Sequence, residues 1–423
     1  MKESKGFKET EIGLIPEDWE VVRLGEVFEV KQGKQLSAKE NRDGKVLKPF
    51  LRTSNVLWNK IDLSEISYMP FSESEFENLK LKKGDILVCE GGDVGRTAVW
   101  DGQIDEISYQ NHLHRLRSVK DNINNYFFAY WMEYAITIKN LYHQNANKTT
   151  IPNLSSSRLK AFPIPLPPLE EQKAIADILS TVQNNIEKTE KVINATKQLK
   201  KSMMKHLFTY GAVAVDEIDR VKLKESEIGL IPEHWEVVRL GQVVKTIKGK
   251  KPKILSENPS KNSLPYLTAE YFRYGIPNQF VNIEVEKELP VCKKEDVVLI
   301  WDGSKAGQVF TGLEGILAST MVKINPIINN LDKSYLHHFL TTKFDYLNSQ
   351  TTGSTIPHIN KTVFLNLPIP LPPLDEQQKI ANILTTIDQK IQAEENKKEA
   401  LQNLFKTLLQ QLMTGKIRVR YPS

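Results

Sequence analysis

Apolar residues recur with alternating steps of four and three along two stretches of the chain. In the first they fall at Ile175, Leu179, Val182, Ile186, Ile193, Met203 and Leu207, with Thr189 and Thr196 in the same register and Lys200 breaking it. In the second they fall at Ile380, Leu384, Ile387, Ile391, Leu401, Phe405, Leu408 and Leu412, interrupted by Glu394 and Lys398. That spacing is the heptad seam of a coiled coil. Each run covers about 40 residues, so each predicted helix is roughly 60 Å long at ~1.5 Å per residue. A seam this narrow suits a partner helix better than a broad core. The simplest arrangement is one antiparallel pair within the chain; the alternative is that each helix packs on its own globular domain.

The chain repeats itself around these helices. Pro163-Ile164-Pro165-Leu166-Pro167-Pro168-Leu169-Glu170-Glu171-Gln172 precedes the first, and Pro368-Ile369-Pro370-Leu371-Pro372-Pro373-Leu374-Asp375-Glu376-Gln377 precedes the second. Proline fixes φ and is tolerated in a first helical turn, so both blocks read as sharp helix entries. Further upstream, Glu11-Ile12-Gly13-Leu14-Ile15-Pro16-Glu17-Asp18-Trp19-Glu20-Val21-Val22-Arg23-Leu24-Gly25 returns at Glu227 to Gly241 with one change, Asp18 to His234.

Between these matched ends each unit reads as a mixed, mostly β domain, with short apolar or alternating runs punctuated by Gly, Asn, Asp and Pro. Asp85-Ile86-Leu87-Val88 corresponds to Asp296-Val297-Val298-Leu299, and each is followed by a Gly-rich loop, Gly91 to Arg96 and Asp302 to Gly307. A helix is expected around Tyr126 to Leu141 and around Ser334 to Leu347. Residues 1–10 are polar and read as loose. The expected class is α+β: two similar mixed α/β domains separated by two long antiparallel coiled-coil helices, with internal pseudo-two-fold duplication. The boundaries are 1–168 for the first domain, 169–210 for its helix, 211–226 for a charged linker, 227–373 for the second domain, and 374–416 for its helix, with a basic tail to 423.

Composition narrows the function classes. At 423 residues the chain suggests two or three domains, and 40% hydrophobic content is enough for real cores. Cys89 and Cys292 do not occupy equivalent positions, so a reducing cytoplasm is expected rather than a disulfide framework. The start is polar and no apolar run approaches ~18 residues, so neither a signal peptide nor a membrane span is indicated. A net charge of +5 permits nucleic-acid binding without proving it.

Signatures of catalysis are mostly missing. There is no Gly-x4-Gly-Lys-Ser/Thr phosphate loop and no Asn/Asp-Pro-Pro-aromatic motif of an adenine methyltransferase. Glu171-Gln172-Lys173 has the ending of a metal-dependent nuclease motif, but it opens a helix and lacks a partner carboxylate. His112-x-His114 has no acidic or Cys partner at metal-site spacing, which favours satisfied histidines. The Gly91 to Gly95 loop reads as a tight β-connection before a phosphate cradle. No metal and no cofactor are expected in this chain.

Taken together, the twice-repeated Ile-Pro-x-x-Trp-Glu-Val-Val opening, the Thr-Ile-Pro-Asn/His segment at 150–153 and 355–358, the Pro-Leu-Pro-Pro-Leu-x-Glu-Gln block and the helix behind it resemble the specificity subunit of Type I restriction-modification systems. The resemblance covers residues 11–416. It implies that each globular unit is a target recognition domain reading one half of a split, asymmetric double-stranded DNA site. It implies that the helices set the gap, and that the chain carries two methyltransferase subunits and two restriction motor-nuclease subunits. Methyl donor, ATP and magnesium would bind those partners. The rival reading is a coiled-coil scaffold that does not touch DNA. Two similar domains on a rigid rod suit half-sites about one helical turn apart, ~34 Å. Polar side chains would read base edges and cations hold phosphates. Loop position and chemistry nominate Lys31, Gln32, Lys34, Gln35, Arg52, Ser54, Asn55, Arg96 and Lys148 in the first domain. In the second they nominate Lys248, Lys250, Lys251, Lys253, Tyr271, Arg273, Lys305 and His358.

Overall fold

The computed structural model of the chain describes residues 6–35, 44–141, 153–353 and 355–419. Two compact units emerge. The first comprises Met1–Glu190 with Asn396–Ser423, the second Lys191–Glu395. The two long helices, Leu169–Tyr210 and Leu374–Met413, each start in one unit and end in the other.

In the first unit a four-stranded sheet has the order Thr97–Val99, Ile86–Cys89, Leu113–Ser118, Phe28–Gln32. In the second the same order recurs as Val309–Phe310, Val297–Ile300, Met321–Pro326, Val244–Lys248. The central strand is uniformly apolar because both its faces are covered. Ile86 and Val88 join a core with the helix Asn125–Glu133, while Leu87 and Cys89 join a second core toward a smaller sheet. Val297 and Leu299 against Val298 and Ile300 repeat the division. Asp85 and Asp296, beside these strands, are both buried. A bidentate Arg117 at 2.7 Å neutralises the first, and Lys323 at 3.1 Å with Lys333 at 2.7 Å the second.

The two repeated motifs lock to each other. Glu20–Arg23 pairs antiparallel with Pro163–Leu166, and Glu236–Arg239 with Pro368–Leu371. Ring nitrogens alternate along each proline strand, so the missing N–H groups cost no ladder bond in a two-stranded edge. The Trp19 indole donates to Glu171 at 3.2 Å, and the Trp235 indole to Glu376 at 3.0 Å. Gln172 is fully buried. It accepts from the Asn124 amide at 2.8 Å and donates to the Asn122 and Pro167 carbonyls at 2.9 and 2.8 Å. Gln377 does the same for Asp332, Asn330 and Pro372. The Glu-Gln pair is thus the bolt that fixes each helix start to its own domain, and the carboxylates of the first turn also suit the helix dipole.

Within each unit the helix segments run antiparallel. In the first, Ile175 and Leu179 share a core with Leu409 and Leu412, and Lys398 meets Glu190 at 2.9 Å. In the second, Leu207 shares a core with Ile380 and Leu384, Lys200 meets Asp388 at 2.5 Å, and Lys197 meets Glu395 at 2.6 Å. The seam breaks at Lys200 and Lys398 are therefore ion-pair positions, and Glu394 is tied to Lys390 at 2.6 Å. The helix starts also belong to the domain cores, Ile175 with Trp19 and Phe127, so helix pairing and domain packing coexist rather than compete.

Residues before 11 are not loose where described. Phe7–Thr10 forms a hairpin with Gly13–Pro16, closed by the Thr10 hydroxyl donating to the Gly13 carbonyl at 2.7 Å. The polar pattern misleads because this two-stranded hairpin exposes one face. Leu223–Ser226 and Gly229–Pro232 repeat it, so part of the segment 211–226 is strand.

Candidate nucleic-acid interface

In the first domain three loops leave neighbouring strand ends. Gly33 begins one. A β-carbon there would run into the Gln110 carbonyl, and at the equivalent Gly249 into that of Ala318, so both loops need glycine to pass the adjacent strand. The Gln32 amide donates to Glu90 at 2.8 Å and to the Asn111 carbonyl at 2.9 Å. Glu90 opens the loop that runs through Gly91 and Gly92 to Arg96 and returns as an antiparallel hairpin. There Arg96 donates to the Thr53 carbonyl at 3.0 Å and pairs with Asp93 at 3.2 Å. The structure thereby brings Gln32, Arg52, Ser54, Asn55 and Arg96 together. Arg52 meets Glu65 at 3.2 Å. Asn55 is 3% exposed, and its side chain accepts from the Arg52 amide and donates to the Asp62 and Glu65 carbonyls, each at 2.8 Å. It shapes the turn that carries Arg52 and the exposed Ser54.

Lys31 and Lys34 face a neighbouring element. Lys31 donates to Asn78 at 2.6 Å. Lys34, its side chain 9% exposed, donates to the Pro70 carbonyl at 2.7 Å and Glu75 at 3.0 Å, over the Phe71 ring. The Ser72 amide first, and Lys34 after it, hold the Glu75 carboxyl down at about 2. Gln35 is exposed, and Lys148 lies outside the described residues.

The second domain keeps the frame and changes the chemistry. Lys248 stands where Gln32 stands and meets Asp302 at 3.0 Å. The other Asp302 oxygen is 2.7 Å from His358 Nδ1, and the Gly303 amide donates to the Pro357 carbonyl at 2.8 Å. Lys248 and His358 are thus gathered at Asp302, at the start of the loop that carries the exposed Lys305. Gln308 stands where Arg96 stands. Its Oε1 accepts from Arg273 at 3.2 and 2.9 Å, across to the helix Ala269–Tyr274. Tyr271 packs partly buried against the smaller core, and its backbone amide donates to the Thr268 hydroxyl at 3.2 Å. Lys250, Lys251 and Lys253 are exposed on the loop after Lys248.

Both domains therefore clasp two loops with a guanidinium, but the arginine sits on the Gly-rich loop in one and on the opposing helix in the other. Glu90, Asp302 and Gln308 were missed from sequence. A search weighted toward cations passes over carboxylates, although a carboxylate beside a strand end both aims a cation and accepts from cytosine N4.

Residues 16–198 match the Type I restriction modification DNA specificity domain, and residues 232–403 match it again. The chain belongs to that family. A putative specificity subunit of the MjaX type I restriction enzyme of Methanocaldococcus jannaschii is 34% identical, over 98% of this chain and 97% of that one. The MjaVIII specificity subunit of the same organism is 44% identical over 44% of this chain and 43% of its own. The crystal structure of a Type I S subunit from M. genitalium superposes with a TM-score of 0.62 at 19% identity, covering 96% of this chain and 97% of the other, which shows a shared fold. The two specificity domains thus coincide with the internal duplication. Among the described residues no helix is long and apolar enough to cross a membrane.

Proposed function

We propose that this chain is the sequence-reading, non-catalytic subunit of a cytoplasmic Type I restriction-modification enzyme. Residues 1–168 and 227–373 act as recognition domains, each reading one half of a bipartite DNA site, and the long helices set the unread gap. The observation that carries this is the exchange of chemistry on one frame. Gln32 and Glu90 become Lys248, Asp302 and His358, and the clasp arginine changes loops. A frame kept twice with altered polar groups at matching strand ends suits two different base sequences. The site is accordingly asymmetric. Exposed cations such as Lys250, Lys251, Lys253 and Lys305 hold phosphates, and the clasped polar groups face base edges. Two methyltransferase and two restriction subunits supply catalysis, and methyl donor, ATP and magnesium bind to them.

The test is methylation mapping in cells carrying this chain with its methyltransferase partner. A bipartite, asymmetric adenine-methylated motif with a fixed gap is expected. A continuous motif would mean that only one domain reads DNA. No motif, together with no salt-sensitive DNA binding by the complex, would leave the scaffold reading.

A further inference from the structure

Beside the clasp of the second domain the chain shows two large apolar side chains to solvent. Tyr274 is 70% exposed and Ile276 is 73% exposed, with only Gly275 between them. Gly275 ends the helix Ala269–Tyr274 at φ 69, a left-handed turn that leads the chain away from the core. The segment is not a loose end. Thr268 caps the helix start, and Arg273 is held on Gln308 by two hydrogen bonds. Phe272 stacks on Phe310, ring centres 5.0 Å apart. The helix that ends at Tyr274 is thus held against the loop of Lys305, whose carbonyl accepts from the Gln308 amide at 3.1 Å.

The first domain contrasts. After its corresponding turn, Thr53–Asn55, Val56 is fully buried and Trp58 packs partly buried against the main core. Single exposed apolar residues are ordinary, but here two stand together at the end of a helix that is itself held in place, on the same domain as the exposed Lys305. On a DNA-reading face such side chains have two known uses, contact with the thymine 5-methyl group and wedging between base steps.

We propose that Tyr274 and Ile276 are specificity-determining residues of the second domain, making apolar contact with base edges in its half-site. The inference rests on the recognition reading above. It places an apolar component, and so a thymine or a deformable step, in the second half-site.

The experiment uses the full chain with its methyltransferase partner. Tyr274→Ser, Ile276→Thr and the double variant are compared with wild type and with Tyr346→Ser, a change at an exposed tyrosine on the helix Phe344–Ser349. Methylation is mapped, and binding to the mapped site is measured over a salt series. One or more positions of one half-site should become degenerate, and affinity should fall roughly ten-fold per lost contact, as expected for ~1.4 kcal/mol. The other half-site and the salt slope should stay unchanged, because no phosphate contact is removed. Tyr346→Ser should behave as wild type. Full stringency at both half-sites in the double variant would overturn the proposal. So would a clear loss of thermal stability in the variants, which would assign the pair to the fold. A wild-type complex without any bipartite motif would instead sink the recognition reading itself.

Discussion

Glu133 lies at the end of the helix Asn125–Glu133, where burial pushes its carboxyl up to about 7. The Asn59 side-chain amide donates to it at 2.5 Å, from a residue with φ 54. Because the folded value lies above the ordinary 4.5, the fold prefers the protonated acid. The stability this contributes is complete below about 4.5 and is lost as pH rises through about 7. Glu133→Gln mimics the neutral acid at every pH. The variant should match wild type in thermal melting near pH 4 and exceed it increasingly toward pH 8. An equal or lower melting temperature at pH 8 would show that the carboxylate is not desolvated as described. His337 and His338 in the other unit are depressed to about 4 and about 3, chiefly by burial and then by neighbouring positive charge, so that unit weakens as pH falls below their ordinary 6.5.

Among elements, the segment after the second long helix acts as a latch on the first unit. Arg418 pairs with Glu171 at 2.7 Å and with both Asp18 oxygens at 2.9 Å, and lies over the Trp19 ring. Glu171 is fully buried. In the second unit no such tail is needed, because His234 itself reaches Glu376 at 2.9 Å. The one mismatch in the repeated opening, Asp18 against His234, is therefore a change in which side chain meets the carboxylate at the helix start. Arg418→Ala leaves the buried Glu171 carboxylate, among the described residues, with the indole alone, and should cost roughly 3 kcal/mol in denaturant unfolding of the first unit. A change below the noise of that measurement would make the latch incidental. The repeats, the helices and the buried central strands were legible in the chain because each is a local pattern. The Arg418 contact, the burial of Asn55 and the exposure of Tyr274 were not, since each depends on which distant segment arrives beside it. The Phe7–Thr10 strand was hidden for a different reason: a two-stranded hairpin has an open face, so polar residues there carry no alternation.

At the scale of the molecule, the proposal makes the helices a ruler. Removing one heptad from each, Ile186–Val192 and Ile391–Lys397, keeps the seam in phase and shortens each helix by about 10 Å, the length of ~3 base pairs. The unread gap in the methylated motif should shrink accordingly, with both half-sites retained. An unchanged gap with activity intact would show that something other than the helices fixes the spacing.

The first unit is assembled from Met1–Glu190 and Asn396–Ser423, whereas the second is the uninterrupted stretch Lys191–Glu395. On a ribosome the usual order, in which what is made first folds first, is therefore reversed. The stretch 191–395 supplies its own unit, while Ile175 and Leu179 lack Leu409 and Leu412, and Glu171 lacks Arg418, until residues 409–418 have emerged. A polypeptide cut short in the second helix would therefore lack part of the first unit's core, and on the reading proposed above it could not specify a two-part site.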